Sequence, residues 1–160
     1  MQKIDIIAVG HLKEKYLKDA EAEYSKRLSS LCRFSVTEIE PERLPDAPKP
    51  AEISSALEKE ADRIAAAVPQ HAFCIPLCIE GDIADSVALS KKLSDLAVGG
   101  ESRVVFIIGG SYGMSERIKK LGSWKLSMSR MTFPHQLARI MLEEQIYRAF
   151  KISAGGTYHK

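Results

Sequence analysis

The chain has 160 residues, 23 Lys and Arg against 21 Asp and Glu, a formal net charge of +2, and hydrophobic and charged fractions of 45% and 28%. This is the length and composition of one soluble globular domain, and the net charge alone does not announce a nucleic-acid binder. No apolar run approaches the ~20 residues of a membrane span, and the N-terminal apolar stretch is too short for a signal-peptide core, so a cytoplasmic protein without membrane contact is expected.

Residues 3–9 read as a short strand closed by Gly10. Tyr16, Ala20, Tyr24, Leu28 and Leu31 then recur at helical spacing, which predicts a helix over residues 16–31 with these side chains inward. Phe34, Val36 and Ile39 mark a second strand. Pro41, Pro45, Pro48 and Pro50 exclude regular structure from the following loop. Ile53, Leu57, Ala61, Ile64 and Val68 give a second helix, stopped by Pro69. The run "AFCIPLCI", residues 72–79, is the mark of a strand buried on both faces, with a turn expected at Glu80 and Gly81.

Asp85 or Ser86 caps a third helix that runs through Leu89, Leu93 and Leu96 to Gly99 and Gly100. "RVVFIIGG" is another doubly buried strand, and Ser115 caps a short helix that ends at Gly122. "WKLSM", residues 124–128, alternates as a last strand before a helix over residues 136–153 and the tail "AGGTYHK". Strands alternating with helices predict a single α/β domain over residues 1–160, with a mostly parallel sheet and helices on both faces.

Cys32, Cys74 and Cys78 form no disulfide framework, and Cys74 and Cys78 on one strand would stand ~13 Å apart, too far to share a metal ion. No metal is expected. Charge is unevenly spread: residues 115–160 carry nine Lys and Arg against three Glu. If the protein meets a polyanion, the C-terminal third is where it does so; the other reading is a gradient on a solvated surface.

In "FIIGGSYGMSERIKK" a buried strand meets glycines and then a charged helix, a junction that holds ligands in open α/β sheets. Gly109, Gly110 and Gly113 are spaced G-G-x-x-G, and Met114 follows. Neither the phosphate loop nor the dinucleotide fingerprint fits that spacing. Three strand ends, near residues 77–81, 109–114 and 127–134, would form one pocket at one sheet edge, read mainly by main chain.

The C-terminal third carries Thr132-Phe133-Pro134-His135, Leu137-Ala138-Arg139, Glu144-Gln145-Ile146-Tyr147-Arg148-Ala149 and Tyr158-His159. With "FIIGGSYGM" this closely resembles the bacterial large-subunit rRNA pseudouridine N3-methyltransferases of the SPOUT class, over essentially the whole chain. The resemblance implies a homodimer, a C-terminal trefoil knot, and S-adenosyl-L-methionine bound within roughly residues 77–153. It also implies a substrate: N3 of a pseudouridine in the helix 69 loop of 23S rRNA within the ribosome. Carried over, the cofactor contacts fall on Leu77, Gly110, Ser129, Arg130, Met131, Thr132, Phe133 and Pro134. The glycines would then let main chain approach an adenosyl group. Ser111-Tyr112 departs from the family, where many relatives have Pro or Ala and an acidic residue.

For substrate positioning the resemblance points to Arg148, Tyr158 and His159. From the residues alone, Arg148 is equally an i,i+4 partner of Glu144, and Tyr158 and His159 belong to a glycine-flanked tail that would otherwise be disordered. An aromatic and an imidazole beside a basic helix suit stacking on an unpaired base, and His159 is a candidate base. His135 either packs at the helix start or orients cofactor or acceptor. Arg130 and Lys125 are either phosphate contacts or surface residues. The last helix is apolar on more than one side, which points to a dimer interface or to burial within one chain. A non-enzymatic RNA-binding ribosome factor on the same fold is the alternative function.

Overall fold

In the computed structural model, which describes residues 1–159, the elements are β1 (Lys3–Val9), α1 (Lys15–Leu28), β2 (Arg33–Ile39), α2 (Pro50–Ala67), β3 (Phe73–Ile83), α3 (Ser86–Val98), β4 (Arg103–Ile108), α4 (Glu116–Leu121), β5 (Leu126–Ser127) and α5 (His135–Ser153). Lys160, the last residue of the tail motif, lies outside the described residues. The sheet order is β2-β1-β4-β3-β5 and every pair is parallel, so all five strands end on one edge. β1 and β4 occupy the middle, and their near-continuous apolar runs are what double-sided burial demands.

Alternation along these two strands sorts the side chains between two cores. Ile4, Ile6, Val104 and Phe106 pack with Leu28, Leu89, Leu93, Leu142 and Ile146, from α1, α3 and α5. Ile7, Val9, Val105 and Ile107 face the other way, onto Ala61 and Ile64 of α2 and Ile118 of α4. At ~1.5–3 kcal/mol per fully buried aliphatic side chain, these two cores supply the drive for folding.

Asp85 is the cap of α3: its side chain accepts the Ala88 N–H at 2.7 Å. Ser115 Oγ accepts the Arg117 N–H at 3.1 Å and starts α4. Pro50, at the first position of α2, has no N–H to leave unpaired there.

Three expectations need correction. Tyr16 is exposed, and Leu17 takes the inward position at the start of α1, because the helix begins one residue earlier and ends at Leu28. Glu80 and Gly81 do not turn the chain; β3 continues to Ile83 through a register shift against β5 between Leu77 and Asp82. Only Leu126 and Ser127 of "WKLSM" join the sheet, while Trp124 donates from Nε1 to Asp82 at 3.1 Å and lies under the Lys92 ammonium. Of the two readings left open for α5, burial within one chain accounts for much of its apolar surface, since α1 and α3 flank the helix and bury Leu142, Ile146 and Ala149. Leu137 alone among its large apolar residues is well exposed, at 41%.

Candidate active site

At the carboxyl ends of β3, β4 and β5 lies a cavity of about 820 Å³. Three separated segments wall it: Leu77 to Glu80 on β3, the Gly109–Met114 loop after β4, and residues 126–135 leading from β5 into α5. Of the residues singled out in the sequence, Leu77, Gly110, Ser129, Met131, Thr132, Phe133 and Pro134 line it. Arg130 does not: its guanidinium turns away to donate to the Ile79 carbonyl at 2.8 Å, which ties the β5–α5 segment to β3.

The wall is dominated by apolar side chains and main chain, with few charged groups. A Cβ on Gly109 would fall well inside contact distance of the Gly113 carbonyl, so the loop closes only with glycine there. Gly110 and Gly113 then bridge to each other across the loop. Ser129 Oγ accepts the Met131 N–H at 3.0 Å and Ser127 Oγ donates to the Ser129 carbonyl at 3.0 Å, which stiffens the segment before α5. Lys119, from α4, enters the wall paired to Glu80; that hydrogen bond raises the lysine pKa and lowers the glutamate's.

His135 opens α5 and closes the cavity on one side. Its ring packs on Gly10, whose φ of +100° holds the turn after β1; a Cβ there would stand 3.4 Å from His135 Nε2. Burial first, and then the positive charges of Arg139 and Lys13, push the His135 pKa below 6.5, so the imidazole is neutral at pH 7. A neutral ring can accept a proton or a hydrogen bond inside the cavity.

One turn further along α5, Arg139 is 1% exposed. It donates to the Gly10 carbonyl at 3.1 Å, to Glu38 at 2.9 Å and to Glu21 at 3.2 Å. Burial works against ionisation of Glu38, but Arg139 and His11 outweigh it and hold that carboxyl below its usual range. This buried cluster locks the start of α5 to the ends of β1 and β2, and so fixes the His135 wall. Sequence reasoning missed it because an Arg in an amphipathic helix reads as surface. Lys119 was missed for the same reason.

The second group of sequence candidates gathers elsewhere. Arg148 Nη2 donates to Glu144 Oε1 at 2.8 Å, its guanidinium lies 4.7 Å from the Tyr158 ring centroid, and one of its nitrogens is 3.5 Å from His159 Nδ1. Tyr158 packs edge-on to Tyr147 at 5.0 Å. Burial and then Glu144 raise the Tyr158 pKa, so it stays a phenol. The tail is therefore folded back on α5, and the ion pair with Glu144 coexists with an Arg-aromatic-imidazole cluster. None of these three residues lines the cavity; Arg148 is ten residues beyond Ala138, or ~15 Å along the helix.

Among the described residues no group of three His, Cys, Asp or Glu side chains is arranged to hold a metal ion, and no helix is long and apolar enough to cross a membrane.

A family model described as "Predicted SPOUT methyltransferase" matches residues 2–159. The ribosomal RNA large subunit methyltransferase H of Ligilactobacillus salivarius is 46% identical over 157 residues, 98% of this chain and 99% of that protein. The protein of the same name from Streptococcus suis is 48% identical over 158 residues, 99% of each. Among solved structures, a probable methylase family protein from Haemophilus influenzae Rd KW20 superposes with a TM-score of 0.53 at 10% identity, covering 99% of this chain and 70% of that one. At that identity the likeness concerns the fold alone.

Proposed function

The chain belongs to the SPOUT methyltransferase family, and from that premise we propose that it is an S-adenosyl-L-methionine-dependent rRNA methyltransferase. Its proposed target is N3 of a pseudouridine in the helix 69 loop of 23S rRNA, in the assembled ribosome. The observation that carries this is the cavity of about 820 Å³ lined by Leu77, Gly110 and residues 129 and 131–134 from three separate segments. Its volume and apolar lining suit a nucleoside-sized cofactor. In our reading the β5–α5 segment is part of a trefoil knot, in keeping with the family.

Bound there, S-adenosyl-L-methionine supplies an electrophilic methyl carbon on a sulfonium. The protein's own task is to hold the acceptor nitrogen in line and to manage its proton, a positioning effect that reaches ~7–11 kcal/mol in ideal cases. His135 and His159 are the two imidazoles suited to take or orient the N3 proton. Arg148 and Tyr158 would position the nucleotide through its phosphate and its π-face.

The ~15 Å between the cavity and the tail cluster favours a homodimer in which one chain's tail completes the other's cavity. Ile79, Ile83, Met131 and Leu137, exposed at 44%, 58%, 71% and 41%, offer apolar surface for such a pairing.

The test is transfer of labelled methyl from S-adenosyl-L-methionine to ribosomes from cells lacking this gene, with rRNA fragments read by mass spectrometry. Methyl on one pseudouridine of the helix 69 loop is the expected result. Cofactor binding without transfer to active ribosomes would refute the target. No binding of S-adenosylhomocysteine would favour the non-enzymatic RNA-binding factor.

A further inference from the structure

A second cavity of about 230 Å³ sits beside the first on the same sheet edge. It opens between the ends of β1 and β4. The sheet order makes this the place where the connections diverge: β1 leads to α1 on one face, and its neighbour β4 leads to α4 on the opposite face. In open α/β sheets that crevice is the natural ligand site, yet the larger cavity lies to one side of it, over β4, β3 and β5. The two cavities share a wall made of Gly110, Ser111 and His135.

Below the ~300 Å³ at which pockets for larger ligands begin, the crevice has room for one ring, not for a nucleoside cofactor. Its far side is α2, with Leu57 and Glu60. Glu60 is 8% exposed, and its Oε2 accepts the Glu42 N–H at 2.9 Å. Its other oxygen takes no hydrogen bond from the described residues and is not itself fully buried, which leaves a carboxylate acceptor free at the cavity wall of an otherwise buried side chain.

We propose that this crevice is the acceptor-base subsite, and that Glu60 selects pseudouridine over uridine by accepting its N1–H. This rests on the function proposed above. In pseudouridine the sugar is bonded to C5, so N1–H and N3–H flank C2 on opposite sides of the ring. A ring entering with C2 foremost turns N3 to the wall shared with the larger cavity and N1–H to α2. Uridine has its sugar on N1, and the position opposite N3 carries a C–H that cannot donate. With the ring in place, the Glu60 oxygen would then be cut off from water without a donor, a penalty for the wrong base.

The test compares ribosomes carrying pseudouridine or uridine at the target position, from cells with or without the responsible synthase, as substrates for the wild type and for Glu60→Ala. Wild type should prefer pseudouridine, and Glu60→Ala should lower kcat/KM on pseudouridine by about 10- to 100-fold. The variant's rate on uridine should hold or rise, because the unpaired oxygen is gone, and its affinity for S-adenosylhomocysteine should not change. A second variant, Leu57→Trp, fills the crevice and should abolish transfer while S-adenosylhomocysteine still binds. An unchanged preference in Glu60→Ala, equal losses on both substrates, or loss of cofactor affinity in Leu57→Trp would each overturn the assignment. Wild type that transfers no methyl to either ribosome would instead overturn the proposed function, and this subsite with it.

Discussion

The Tyr158 hydroxyl donates to Glu144 Oε1 at 3.0 Å, on the same oxygen that receives Arg148 Nη2 at 2.8 Å. One carboxylate thus anchors the chain's tail and orients its guanidinium. Arg148→Ala is expected to lower methyl transfer by at least ~100-fold while shifting stability by no more than ~0.5 kcal/mol, the scale of an i,i+4 pair. Tyr158→Phe, which keeps the ring over Arg148 but loses the anchor, should cost less, about 10-fold. Transfer assays beside thermal melts decide this; parallel losses of melting temperature and rate would mean that the cluster only holds the helix end.

His135 is neutral because it is buried beside Arg139 and Lys13. If it handles the acceptor proton, kcat/KM should fall as pH drops through its pKa, which lies below 6.5. In His135→Asn that acidic limb should vanish along with at least ~10² of the rate, the lower end for a lost acid–base group. In His159→Asn the limb should persist. The reverse pattern would move the role to the tail.

Gly109→Ala puts a methyl group against the Gly113 carbonyl. The backbone there cannot yield without opening the loop, so a loss of about 1–3 kcal/mol is expected, the range of overpacking. Binding of S-adenosylhomocysteine, followed by calorimetry, should weaken in step. Undiminished affinity would show that this loop does not shape the cofactor site.

Glu143 is 0% exposed, and with both carboxyls ionised its two oxygens have no partner. Burial, and then the neighbouring Glu21, raise its pKa from 4.5 to about 9, so it is protonated and donates to Glu21. Between those two pH values the folded chain holds a proton that the unfolded chain has released. Stability from this group is therefore full below pH 4.5 and is lost progressively as pH rises to about 9. Glu143→Gln keeps a donor and cannot ionise. It should match the wild type near pH 5 and exceed it at pH 8–9 by on the order of 1–3 kcal/mol, seen in melting temperatures across pH. Parallel pH curves for the two proteins would show that the carboxyl is not protonated in the fold.

The sheet was legible because residues 72–79 and 104–108 are almost continuously apolar, as a strand covered on both faces demands. The cavity was legible at its glycines and in residues 129–134, where short motifs break the helix and strand periods. The direction of Arg130 was not, since no periodicity governs a loop side chain. Nor was the fold-back of Tyr158, which depends on Tyr147 and Glu144 presenting one surface of a helix to a tail without a pattern of its own. Glu60 reads as one charge among many on α2; its burial follows from the path of the proline loop over it.

Helix α5 begins in the cavity wall at His135 and ends beneath the tail cluster. A rigid rod of 19 residues keeps those two ends apart at a fixed distance within any one chain. In a symmetric pair, a chain with a blocked cavity and a chain without its tail would each be inactive alone. Mixed together, they would rebuild one intact centre from their undamaged halves. Two dead alleles would restore a measurable fraction of activity through subunit exchange.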